Sequence, residues 1–309
     1  MKRWFGKLLC LLLALALTVS GWLGFVLAQP DHMGGSIAAT MRTKVRLLQD
    51  TQSGGPRILF AGGSSSPYGT VCRTAADATG YTALDVGATA YLGLDYYLAL
   101  LGRYARAGDV IVLAPEHMML EGPCVDYSLV WQAAGNDAEV WRTVPLSYLP
   151  GLFAASDDAL RLRRETADKP DSGCRPDFGP LGDVTAPRET LLESGWNTQD
   201  PVYLDAGRFD PAMIEKINAF AARMEKRGAR VYFAFAPLDE KAIQSSPAEV
   251  DAYAAAVTAA LDIPVILTER QAILPARYFY DSNNHLTSEG AALNTQNLID
   301  GLRAQGIGA

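Results

Sequence analysis

The sequence predicts an α/β fold, a three-layer α/β/α sandwich around a five-stranded parallel sheet, on three observations. Short apolar runs alternate with segments of helical period from residue 57 to residue 114. The same rhythm returns from residue 211 to the end of the chain. The runs are apolar throughout, as strands covered on both faces are, and repeated strand–helix–strand units imply right-handed crossovers into one sheet.

The elements follow in order. Lys2, Arg3 and Lys7 precede an apolar run of about 21 residues, 8–28, long enough to cross a ~30 Å hydrocarbon layer as a helix. Positive charge before the run and Asp31 after it place the body outside the cytoplasm, behind a single-pass anchor over residues 1–28. Secretion after signal cleavage at the small residues around Ala28 is the alternative. Cys10 lies in the run without a lipobox before it. Residues 29–55 read as a membrane-proximal linker, and residues 56–309 as one α/β domain.

Within that domain, strands are expected over 57–63, 82–87, 109–114, 230–236 and 264–267. Helices are expected over 67–78, 91–106, 211–227, 247–261 and 287–305. Residues 115–205, after the third strand, break the rhythm and read as an insertion with helices of its own, such as 157–165. There Trp131, Trp141 and Trp196 fill a small satellite core or line a carbohydrate groove. Arg161, Arg163 and Arg164 read as a solvated helix face.

A net charge of -7 without a basic stripe argues against nucleic acid as a partner. Among the cysteines, Cys72 reads as a buried small hydrophobe, and a Cys124–Cys174 bridge is the pairing expected in an oxidising compartment. No Cys/His spacing suits a metal, and no cofactor is implied.

Chemistry concentrates where ligands bind in an open parallel sheet, outside the carboxyl ends of the strands. Gly62-Gly63-Ser64 follows the first strand, Asp85-Val86-Gly87 ends the second, and Pro115-Glu116-His117 follows the third. Asp281 and His285 lie four positions apart just before the last helix. A serine hydroxyl needs a base to take its proton, and an acid orients that base. The expected roles are nucleophile for Ser64, base for His285 and orienting acid for Asp281. Backbone N–H groups of Ser64 and Gly87 are the expected oxyanion hole, and Ser65, Glu116 and His117 the substrate contacts. His32, in the linker, reads as solvated.

These segments resemble the SGNH, or GDSL-like, hydrolase superfamily. Gly62-Gly63-Ser64 is similar to its first block, with Gly63 where an Asp is usual. Val86-Gly87 is similar to the second block, and Asp281 to His285 to the last, with three residues between acid and base where the family usually has two. The third block's oxyanion Asn is absent: the matching strand end reads Ala114-Pro115-Glu116-His117. The resemblance implies a flavodoxin-like parallel sheet and a serine esterase or O-acyltransferase activity. With the N-terminal anchor it points to the membrane-anchored, cell-envelope branch. That branch implies an acylated polysaccharide or related envelope polymer as substrate and a membrane O-acyltransferase as partner. The departures at Gly63 and Glu116 equally suit a catalytically silent scaffold or polymer-binding subunit.

Overall fold

The computed structural model describes residues 2–29, 35–166, 178–192 and 201–308. The chain starts with α1 (Lys2–Leu27), an apolar helix whose stretch Trp4–Leu27 has a mean hydropathy of 2.3 and is almost wholly exposed. Such a helix suits a membrane span or a signal sequence. Its C-terminal end meets the body: the Trp22 indole donates to Ser156 Oγ at 2.7 Å, and Arg163 donates to the Gln29 carbonyl at 3.1 Å. Arg163 is therefore fully buried, contrary to its expected place on a solvated face. Arg161 does occupy that face, paired with Asp158 and Glu165.

The linker expected over 29–55 holds α2 (Gly35–Asp50), and this helix belongs to the core. Met41, Val45 and Leu48 recur at helical spacing and are buried to 1% exposure or less. Lys44, between them, is buried as well because it reaches a carboxylate and carbonyls inside the sheet edge. The polar residues of α2 hid this stripe in the sequence.

The strand–helix rhythm then runs β1 (Arg57–Gly62), α3 (Ser65–Gly69), α4 (Cys72–Thr79), β2 (Thr82–Asp85), α5 (Leu94–Tyr104) and β3 (Val110–Ala114). The helix expected over 67–78 is thus two helices, broken at Thr70, whose backbone is extended. Cys72 is fully buried, as expected. Arg57 is buried at the start of β1 and donates to both oxygens of Asp109, at 3.1 and 2.6 Å.

The insertion supplies α6 (His117–Leu120), α7 (Tyr127–Ala134), α8 (Ala138–Trp141), α9 (Leu149–Ala154) and α10 (Ser156–Thr166). Trp131 and Trp141 meet edge to face at 5.0 Å, and each indole donates to a backbone carbonyl. They join the main hydrophobic core in place of the expected satellite one: Trp131 is part of it and Trp141 packs against it. Trp196, Cys174 and His32 lie outside the described residues.

The chain closes with α11 (Pro211–Lys226), β4 (Arg230–Ala234), β5 (Leu238–Asp239), α12 (Pro247–Ala260), β6 (Val265–Leu267), α13 (Glu269–Ala272), β7 (Ile273–Leu274) and α14 (Ser288–Ala304). Helix α12 starts in a capping box between Ser246 and Glu249. The main sheet has five parallel strands in the order β2-β1-β3-β4-β6, the order of flavodoxin-type sheets. A two-stranded ribbon of β5 and β7 stands beside it. Each main strand ends on one edge of the sheet, so the loops there come from distant parts of the sequence.

Candidate active site

Strand β1 delivers Gly62, Gly63 and three serines to that edge. Ser64 sits at the N-cap of α3 with helical dihedrals and is half-buried. Ser65 and Ser66 turn inward and are buried, at 0% and 4% exposure. Of the three, Ser64 is the least enclosed. Ser65, expected to touch substrate, is instead walled in.

The Glu116 carboxylate, delivered by the end of β3, leans over this turn. Its Oε1 accepts from the Ser65 backbone N–H at 2.9 Å and lies 3.4 Å from Ser64 Oγ. A side chain at position 63 would collide with it, since a Cβ there would lie 2.2 Å from the same oxygen. Gly63 is thus required in this turn, because the Glu116 carboxylate occupies the space a side chain would take. Glu116, 5% exposed, braces the serine turn and is closed off as a substrate contact.

The second edge group is Asp85, the last residue of β2. It is fully buried and ringed by donors: Ser66 Oγ at 2.6 Å, the Gly87 N–H at 2.8 Å and Lys44 Nζ at 3.5 Å. Burial pushes its carboxyl up to about 6, against the opposing pull of Lys44, Ser66 and Gly87. Burial likewise lowers Lys44. The Gly87 amide is therefore committed to Asp85 and does not stand open as an oxyanion donor. Its missing side chain has another cause: a Cβ would lie 2.7 Å from the Gly63 carbonyl and 2.8 Å from Ser66 Cβ.

The acid and imidazole come together as the spacing predicts. Tyr280 N–H donates to the His285 carbonyl, and Phe279 pairs with Leu286 in an antiparallel bridge. This closes residues 281–284 into a tight loop. His285 Nδ1 lies 2.6 Å from Asp281 Oδ1, leaving Nε2 as the outward nitrogen. The Ser282 hydroxyl accepts from the His285 backbone N–H at 3.1 Å.

Tyr68 links the two halves. It follows Ser64 by one helical turn, its N–H donating to the Ser64 carbonyl at 3.3 Å, so the two side chains share a face of α3. The Tyr68 ring stacks on His285, centroids 4.0 Å apart and planes 10° from parallel. Ser64 and His285 are neighbours through this ring, and no hydrogen bond joins them.

Arg188, which sequence reasoning missed, secures the junction. Its guanidinium donates to the Tyr68 carbonyl at 2.9 Å and to the Leu286 carbonyl at 2.8 Å. It is an isolated arginine in the irregular insertion, with no neighbouring motif to mark it.

His117 falls away from Ser64. It lines a small cleft that Ser64 does not line, with Phe235, Tyr253, Glu269 and Asn284. Among the described residues no group of three or more His, Cys, Asp or Glu side chains could hold a metal ion. No family model matches the chain, and no curated protein emerges as a relative.

Proposed function

We propose that the chain is an extracytoplasmic serine esterase or O-acyltransferase acting on acyl esters of a cell-envelope polysaccharide or related polymer. The observation that carries this reading is the Asp281–His285 pair stacked on Tyr68, one helical turn from the half-buried Ser64. In the reaction, Ser64 Oγ bonds to the ester carbonyl carbon while its proton passes to His285 Nε2. That proton leaves with the alcohol, and the acyl group passes from Ser64 to water or to an acceptor hydroxyl. Asp281 holds Nδ1–H and stabilises the imidazolium.

The parallel sheet in flavodoxin order, with α4 packed on α14 and α5 on α11, supports assignment to a three-layer, SGNH-like architecture. The apolar α1, docked by Trp22 and Arg163, supports a single-pass anchor with the body outside the cytoplasm. A membrane O-acyltransferase would be the partner in that setting.

The full chain in detergent micelles, given a p-nitrophenyl acetate substrate and a fluorophosphonate probe, tests this reading. Hydrolysis and labelling should both fall at least ~10³-fold in Ser64→Ala and His285→Ala. Hydrolysis at the wild-type rate in Ser64→Ala would remove the proposal.

A second reading, a silent scaffold or polymer-binding subunit, has its own support. The Gly87 N–H is spent on Asp85, and a carboxylate stands where an oxyanion donor is wanted. His285→Ala separates the two. An enzyme should lose hydrolysis and probe labelling at least ~10³-fold, whereas a scaffold should bind polymer unchanged and label in neither form.

A further inference from the structure

The part of α1 that stands free of the body is too short to cross a bilayer. No charged residue lies between Lys7 and Asp31. Trp22, Leu23 and Leu27 pack against the hydrophobic core, and Val26 is part of it. The stretch before them, residues 8–21, is about 21 Å long as a helix, against ~30 Å of hydrocarbon. Residues 22–27 add about 9 Å and complete the span. A bilayer crossed by α1 therefore reaches the turns that the body already grips. The body's surface beside those turns then sits at lipid depth. Phe25, in the same turns, stays exposed, as a lipid-facing residue would.

One apolar face lies at that junction. A 3₁₀ turn (Leu146–Tyr148) runs directly into α9, and Leu146, Leu149 and Phe153 fall on one side at helical spacing. They are 83, 49 and 44% exposed, while Tyr148 and Leu152 are buried. From Thr143 to Ser156 the chain carries no charge. A hydrogen-bond relay ties this face to α1. The Trp22 indole donates to Ser156 Oγ at 2.7 Å, and Ser156 Oγ donates to the Phe153 carbonyl at 2.6 Å. Tryptophan is itself a residue that settles at the membrane–water boundary. Exposed charge resumes at once in α10, with Asp157, Asp158, Arg161 and Arg164.

We infer that Leu146, Leu149 and Phe153 form a second membrane contact, seated in the interfacial layer of the bilayer that α1 crosses. Apolar side chains on a short helical face enter that layer by leaving water, without spanning it. Lipid is the occupant because the face adjoins the very residues that α1 must place in lipid, so no protein is needed to cover it. A single helix leaves a body free to swing about it. A second contact fixes the tilt, and with it the direction in which the carboxyl edge of the sheet faces. The inference rests on the membrane reading of α1 and is independent of the chemistry at Ser64.

Site-directed spin labelling tests it on the full chain reconstituted in palmitoyl-oleoyl phosphatidylcholine vesicles. The background carries Cys10→Ser, Cys124→Ser and Cys174→Ser, and Cys72 stays because it is fully buried. Labels go on Leu149→Cys and Phe153→Cys, with Leu12→Cys in α1 as the lipid reference and Arg161→Cys as the aqueous one. Oxygen concentrates in lipid and a nickel chelate in water, so the ratio of their collision rates with the label reports depth. The ratio at positions 149 and 153 should exceed that at position 161 several-fold, and either position suffices if the other variant folds poorly. A water-like ratio at both, with a lipid-like one at position 12, would overturn the inference and leave the anchor standing. Exclusion of both reagents at 149 and 153 would mean that protein covers the face, and would overturn it too. A water-like ratio at position 12 would remove the anchor and this contact together.

Discussion

The two edge strands of the sheet, β2 and β6, each lead to a buried carboxylate at the carboxyl edge, and the fold treats the two in opposite ways. Asp85 lies among donors from its own chain: a serine hydroxyl, a glycine amide and a lysine. Glu269 has none. Burial raises both carboxyls, to about 6 and about 7. A buried carboxylate supplied with internal donors is part of the frame. One left without them meets its burial by holding a proton more tightly. Ser64 and Glu116 lie between these extremes, with the serine half-buried and the glutamate enclosed.

The sharpest way to break this contrast is Lys44→Met. Removing the cation from a buried pair leaves Asp85 charged and underpaired, at a cost of about 3–5 kcal/mol. Chemical denaturation at pH 8 should show it. The loss should shrink at pH 5, where Asp85 takes up a proton. A loss below ~1 kcal/mol at pH 8 would mean that Lys44 is not needed there.

Glu269→Gln should move stability the other way. Glu269 holds its proton more tightly folded than unfolded, where the ordinary value is 4.5. Its contribution is therefore favourable below about 4.5 and is lost as pH rises through about 7. The variant should match wild type near pH 5 and exceed it by about 2 kcal/mol at pH 8. Parallel stability curves across that range would show that the carboxyl does not titrate abnormally.

Two hydroxyl deletions sharpen the comparison at smaller scale. Ser66→Ala takes a donor 2.6 Å from Asp85 and should cost about 1–2 kcal/mol. Tyr253→Phe removes an unpartnered hydroxyl and should be neutral or stabilising by up to ~1 kcal/mol. The same chemical change should thus have opposite signs at the two ends of one sheet. Equal losses would erase the distinction.

Much of the frame was legible. The apolar runs at 58–61 and 110–113 could be little but buried strands, and both are. The Asp281–His285 pair was legible because four residues suffice to close its loop, so the contact is local. The role of α2 was not, because its buried lysine looked like any solvated one until Asp85 appeared beside it. Gly87 invited the wrong reason for the same cause. Its amide and its missing side chain answer to Asp85, Gly63 and Ser66, which a linear reading cannot place around it.

What the sequence determined by itself is therefore everything set by short-range order: the alternation of strand and helix, the anchor-like apolar helix, and the acid–imidazole loop. Periodicity and tight turns are properties of neighbouring residues. What only the tertiary structure decided is the pairing of charges: Lys44 with Asp85, Arg188 between Tyr68 and Leu286, Glu116 over Ser64, and nothing for Glu269. The free energy of a buried charge depends on which distant groups reach it, and that is known only once the chain has folded.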